Sequence, residues 1–113
     1  MPVRNVRRRY LALQLHSEAE PSKSELSRVI SDKIRFLYGV KGAAETDLRM
    51  IEYDQQLMQG IIRCNHDRLI ETRAALAHIT EIDAAPVAIQ VVTVSGTIKT
   101  LRKRLEESTL ETV

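Results

Sequence analysis

The chain has 113 residues, 43% of them apolar and 28% charged, with one cysteine, no tryptophan and a formal net charge of +2. That length supports one hydrophobic core, the single thiol excludes a disulfide framework or a multi-cysteine zinc site, and no apolar run reaches the roughly 18 residues of a membrane span. The basic start lacks the apolar core of a signal peptide, so a reducing, cytoplasmic setting with no membrane partner is expected.

The charge is unevenly placed. Residues 1–10 carry Arg4, Arg7, Arg8 and Arg9 and no acid. Residues 11–98 hold nine bases and twelve acids. Lys99, Arg102, Lys103 and Arg104 then cluster, and Glu106, Glu107 and Glu111 follow. A mildly acidic body with two basic ends suits a polyanion held at those ends. Charge alone leaves open the alternative of solvated termini.

Tyr10 to His16 alternates, with Leu11, Leu13 and Leu15 on one face, and predicts a half-buried strand. Ser22 and Glu25 have capping-box spacing. Leu26, Val29, Ile30, Ile34 and Leu37 continue at helical spacing, and Gly39 offers a stop, so a helix over about 23–38 is expected. Gly39 to Ala44 reads as a connection with at most one helical turn. Leu48 to Tyr53 and Gly60 to Asn65 read as a strand hairpin across a polar turn.

Asn65 or Asp67 is placed to cap the next helix. Its apolar stripe combines Leu69, Leu76 and Ile79 with Ile70, Ala74 and Ala77, and it ends near Thr80. Asp83 to Pro86 reads as a loop. Val87 to Val94 is the most β-branched segment. Val87, Ile89 and Val91 face one way, and Ala88, Gln90, Val92 and Val94 the other, which predicts a strand covered on both faces. Ser95-Gly96-Thr97 opens a last helix, with a stripe of Ile98, Leu101 and Leu105 and a polar tail over 106–113.

The first six elements follow the order strand, helix, strand, strand, helix, strand. This is the α+β, ferredoxin-like βαββαβ sandwich, here with an extra C-terminal helix placed to cover the other face of the sheet. One domain over residues 1–105 is expected, with a basic segment over 1–9 and a basic helix over 97–105.

The fold hosts many functions, so the residues must discriminate. The return strand has no aromatic for base stacking, and the first strand offers only Tyr10. The turn at 17–22 has neither the glycines of an amino-acid-binding regulatory domain nor the arginine of an acylphosphatase. Cys64, His66 and Asp67 are neighbours, but His16 and His78 belong to other elements, so a strand cysteine in the core is the favoured reading over a metal site. Asp47, Glu52 and Asp54 follow no magnesium-loop spacing. No catalytic or metal-ligating residues are expected. The last helix is more informative. At 100° per residue Lys99, Arg102 and Lys103 share one face, opposite Ile98, Leu101 and Leu105, with Arg104 on the flank. That is a phosphate-binding strip on a docked helix. Ser95, Gly96 and Thr97 add free amides at its N-terminus.

Four stretches carry a family resemblance: Arg7-Arg8-Arg9-Tyr10, Gly39 to Ala44, Gly60-Ile61-Ile62-Arg63-Cys64, and Val94-Ser95-Gly96-Thr97-Ile98-Lys99. With them the chain resembles the archaeal ribonuclease P protein component 2 family, over roughly residues 4–105. It departs from the family where a glycine is frequent, at Asp83-Ala84-Ala85 and at Thr93. The resemblance implies a non-catalytic subunit of an endoribonuclease. In that complex a catalytic RNA with bound magnesium removes the 5′ leader of precursor tRNA. It also implies direct pairing with protein component 3, other ribonuclease P proteins nearby, and no cofactor on the chain itself. Arg4, Arg7, Arg8, Arg9, Ser95, Gly96, Thr97, Lys99, Arg102, Lys103 and Arg104 are the expected RNA-binding residues. A small-ligand-sensing regulatory domain and a single-chain nuclease are the competing classes.

Overall fold

A computed structural model describes the backbone of residues 7–111 and the side chains of residues 7–107. Arg4, among the expected RNA-binding residues, lies outside the described residues.

Strand β1 (Arg8–His16) is central. It pairs antiparallel with β3 (Gln59–Asn65) on one side, and β3 pairs in turn with β2 (Arg49–Asp54). On the other side β1 pairs with β6 (Ala88–Ser95), giving the sheet order β2-β3-β1-β6. Helices α1 (Lys23–Thr46) and α2 (Leu69–His78) cover one face. This is the ferredoxin-like sandwich. The alternation of β1 explains the layering, since Leu11, Leu13 and Leu15 pack with Leu26, Ile30, Ile34, Leu76 and Ile79 in the main core. Burying each such side chain contributes roughly 1.5–3 kcal/mol. Among the described residues no helix is long and apolar enough to cross a membrane.

The C-terminal helix α3 (Ile98–Glu111) lies on the opposite face. Its Leu101 is fully buried against Ala12 and Ile61, with Tyr10, Ile51 and Leu105 around them. The helix continues past the expected boundary at Leu105, because the Glu106-Glu107 pair offers good helix formers and no stop.

Several expectations need correction. The capping box of Ser22 and Glu25 forms, with Glu25 N–H donating to Ser22 Oγ at 3.2 Å. Gly39 does take a positive φ of 75°, but it only kinks α1. Helix resumes to Thr46 because two tertiary bonds and one local back-bond hold that second piece. Arg68 binds the Glu45 carboxylate, Asn65 Nδ2 donates to the Glu45 carbonyl at 2.7 Å, and Thr46 Oγ1 donates to Gly42 O at 2.8 Å. Neither Asn65 nor Asp67 caps α2: the cap position is Arg68, without a side-chain bond, and the Asn65 Oδ1 has no hydrogen-bond partner. Instead a 3₁₀ turn, His66–Arg68, leads into the helix. Ile70 and Ala77 of α2 are exposed, and Thr72 and Ala75 take the buried positions assigned to them.

Asp83 to Pro86 is no open loop. Glu81–Ile82 (β4) and Ala85–Pro86 (β5) form a two-residue ladder. Asp83 and Ala84 at its tip have φ of 50° and 68°. Finally, a bulge shifts the β1–β6 register, so that Ala12 meets Thr93 but Leu13 meets Val91. The extra residue, Val92, is 43% exposed. The phase change sends Val94 to the core face with Ile89 and Val91. The apolar residues on both sides of β6 therefore reflect a bulge, not a strand buried on both faces.

Candidate nucleic-acid interface

The candidate site begins where β6 ends. Thr97 caps α3: its Oγ1 accepts the Thr100 N–H at 3.2 Å, and its carbonyl accepts Leu101 N–H at 3.1 Å. Buried Ser95 orients the turn by accepting Thr97 N–H on its Oγ at 3.3 Å. The amides of Ile98 and Lys99 have no partner among the described residues, as first-turn amides at the positive end of a helix do not. Gly96 stands across from Arg9, one step beyond the Tyr10–Ser95 pair. A Cβ on Gly96 would come within 3.2 Å of Arg9 Nη1, so the missing side chain lets that guanidinium cross the turn. Arg9 is fixed there by donating to Arg8 O at 3.2 Å. Two sequence-distant candidates, Arg9 and the Ser95–Thr97 turn, are thus neighbours.

Along α3 the burial of Leu101 settles the orientation. Lys99, Arg102, Lys103 and Arg104 are all exposed. Their partners differ. Arg102 Nη2 donates to Glu52 Oε2 on β2 at 2.8 Å. Arg104 Nη1 donates back to Val94 O at 2.5 Å. Lys99 and Lys103, one turn apart, have no acidic partner among the described residues. Arg7 is exposed, and its carbonyl accepts His66 N–H at 3.0 Å.

The sheet also places two arginines that sequence reading did not select. Arg63 of β3 stands opposite Tyr10 of β1, and Arg49 of β2 stands opposite Arg63. Tyr10 packs beside Leu101, so all three lie on the α3 face. Arg8, two residues before Tyr10, completes the group. Asp47 is the acid at its edge, with Oδ2 2.7 Å from Arg8 Nη1 and Oδ1 3.6 Å from Arg49 Nε. The Arg8 hydrogen bond holds the Asp47 carboxyl below its ordinary value, against a smaller opposing effect of burial, and the charges of Arg8, Arg49 and Arg63 add to the lowering. The hairpin register was the signal that could have revealed this group.

Cys64 is fully buried, and burial pushes its thiol up, away from the thiolate that a nucleophile needs. Among the described residues no three His, Cys, Asp or Glu side chains converge as a metal site.

The Rpp14/Pop5 family model matches residues 9–106. The chain belongs to that family. Its relatives include ribonuclease P protein component 2 of Methanosarcina barkeri, 31% identical over 96% of this chain and 79% of the relative. The protein of the same name from Thermococcus gammatolerans is 32% identical over 91% of this chain and 86% of the relative. A chain in the cryo-EM structure of yeast ribonuclease MRP shares the fold, with a TM-score of 0.68 at 14% identity and 97% of each chain covered. The matched family segment contains Arg9, the Ser95–Thr97 turn and the four cations of α3.

Proposed function

We propose that this chain is a non-catalytic protein subunit of ribonuclease P that binds the catalytic RNA and supports 5′-leader removal from precursor tRNA. The observation that carries the reading is the seating of α3 in a member of this family. Leu101 is buried, while Lys99 and Lys103 project unpaired beside a helix N-terminus with open amides. Exposed cations on a rigid frame neutralise phosphates and let RNA helices approach one another. Bond breaking belongs to the RNA and its magnesium ions, and precursor tRNA meets the chain only through the holoenzyme. The helical layer offers a direct docking face for protein component 3, since Phe36, Val40 and Ile70 are 81%, 76% and 79% exposed there. The expected compartment is the cytoplasm.

The test is reconstitution. The chain alone with magnesium should leave precursor tRNA intact, and should stimulate cleavage when added with component 3 to the cognate RNA. In a salt series, Lys99→Ala with Lys103→Ala should flatten the slope of log affinity against log salt by about 1.4–1.8, from about 0.7 per single-strand or 0.9 per duplex phosphate. Cleavage by RNA-free protein, or no RNA affinity in the folded wild type, would overturn the reading.

A further inference from the structure

The arginines on the sheet face pose a problem that folding alone does not solve. Arg49 and Arg63 are directly opposite on paired strands, an arrangement that repels. Arg8 lies alongside, and the one carboxylate among them, Asp47, faces three guanidinium groups. It bonds Arg8 and reaches Arg49 only at 3.6 Å. Arg63 has no acidic partner within ion-pair distance among the described residues, and its buried Nε has no hydrogen-bond partner. The group therefore carries an excess of two positive charges. An exposed salt bridge would not require that excess.

We infer that Arg8, Arg63 and Arg49 form a second phosphate site, set on the sheet itself, for the backbone of one RNA strand crossing β1, β3 and β2. This rests on the RNA-binding reading above and adds a site to it. Neighbouring strands are spaced roughly 4.8 Å apart and Arg8 lies two residues along β1 from Tyr10, the partner of Arg63, so the group runs diagonally over roughly 12 Å, enough to follow a backbone past one phosphate. Guanidinium forks suit phosphate oxygens better than point charges do. The row lies on the face that α3 also occupies, and Arg102 leans from α3 onto β2 at Glu52. The two cationic surfaces are therefore on one side of the molecule. Asp47 holds Arg8 in place before RNA arrives.

The probe is the cognate ribonuclease P RNA, with binding measured across a salt series and folding followed by circular dichroism. Arg49→Gln with Arg63→Gln should flatten the slope by about 1.4–1.8, and adding Lys99→Ala with Lys103→Ala should flatten it further by a similar amount. Should the Arg63 change unfold the domain, Arg49→Gln alone suffices, because its side chain is 66% exposed. It should cost about 0.7–0.9 of slope, and Arg49→Lys should restore it. A wild-type slope in folded Arg49→Gln would overturn the site while leaving the lysine surface standing. The same result with weakened binding of component 3 would assign the row to a protein contact instead. A wild type without RNA affinity would remove the functional reading and this site together.

Discussion

Arg102 on α3 and Glu52 on β2 meet at 2.8 Å, joining the basic helix to an edge strand of the sheet. Both side chains are more than half exposed, so the pair contributes at most about 1 kcal/mol to stability. On the RNA-binding reading its effect on affinity should be larger than that suggests, because Glu52 is an acid placed beside the proposed phosphate-binding surface.

Glu52→Gln is therefore expected to bind the cognate RNA more tightly than wild type and with a steeper salt dependence. Stability in urea should fall by no more than about 1 kcal/mol. By the same logic, Arg102→Ala should lose more affinity than one missing contact implies, since it also leaves Glu52 unneutralised. Equal RNA affinity for Glu52→Gln and wild type at low salt would show that Arg102 is a tether only.

Leu101 is what holds α3 on the sheet. It is fully buried, whereas Ile98 and Leu105 are only half-buried. Leu101→Ala should destabilise the domain by about 2–5 kcal/mol, the range for emptying a buried leucine site. Ile98→Ala should cost distinctly less. Urea unfolding of the two variants makes the comparison, and equal losses would mean that α3 is anchored elsewhere.

Most of the fold was legible because its strongest signals are local. The leucine alternation of β1, the Ser22–Glu25 capping box and the stripe on α3 each fix an element without help from distant residues. The failures have the opposite origin. The helix beyond Gly39 depends on Arg68 and Asn65, which come some twenty residues later and tie down Glu45. The face of Val94 depends on a bulge at Val92 that exists only because β6 must match β1. The site divides in the same way. Lys99, Arg102 and Lys103 share a helix face by arithmetic, but Arg8, Arg49 and Arg63 meet only through the register of three strands.

The β4–β5 turn shows how a missing glycine reads in a structure. Asp83 and Ala84 both have positive φ, as the type I′ two-residue hairpin turn requires. Aspartate tolerates that region, but alanine pays roughly 1–2 kcal/mol for its Cβ there. Ala84→Gly removes the strain and gives back part of the gain as chain entropy. The variant should be more stable by up to about 1 kcal/mol, with RNA binding unchanged. A loss of stability would mean that the turn relaxes away from this geometry.

Asp47 makes the arginine row dependent on pH. Its folded carboxyl is held below the ordinary aspartate value of 3.8, first by the hydrogen bond from Arg8 and then by the charges of Arg8, Arg49 and Arg63. A carboxyl with a lowered folded pKa contributes stability that is fully present above its unfolded value. That contribution is lost as pH falls through the folded value. Asp47→Asn isolates it, because asparagine also accepts the left-handed conformation at φ 47° that ends α1. At neutral pH the variant should be less stable than wild type, since three guanidinium groups then face one another without an acid. Between pH 7 and 5 the gap should stay constant. Below the ordinary aspartate value it should close, as wild-type Asp47 takes up its proton and loses the same attraction. Urea midpoints of both proteins measured from pH 7 down to 2.5 give the curve. A gap that persists unchanged to the acid end would mean that Asp47 acts as a hydrogen-bonding cap for α1 and not as the counter-charge of the row.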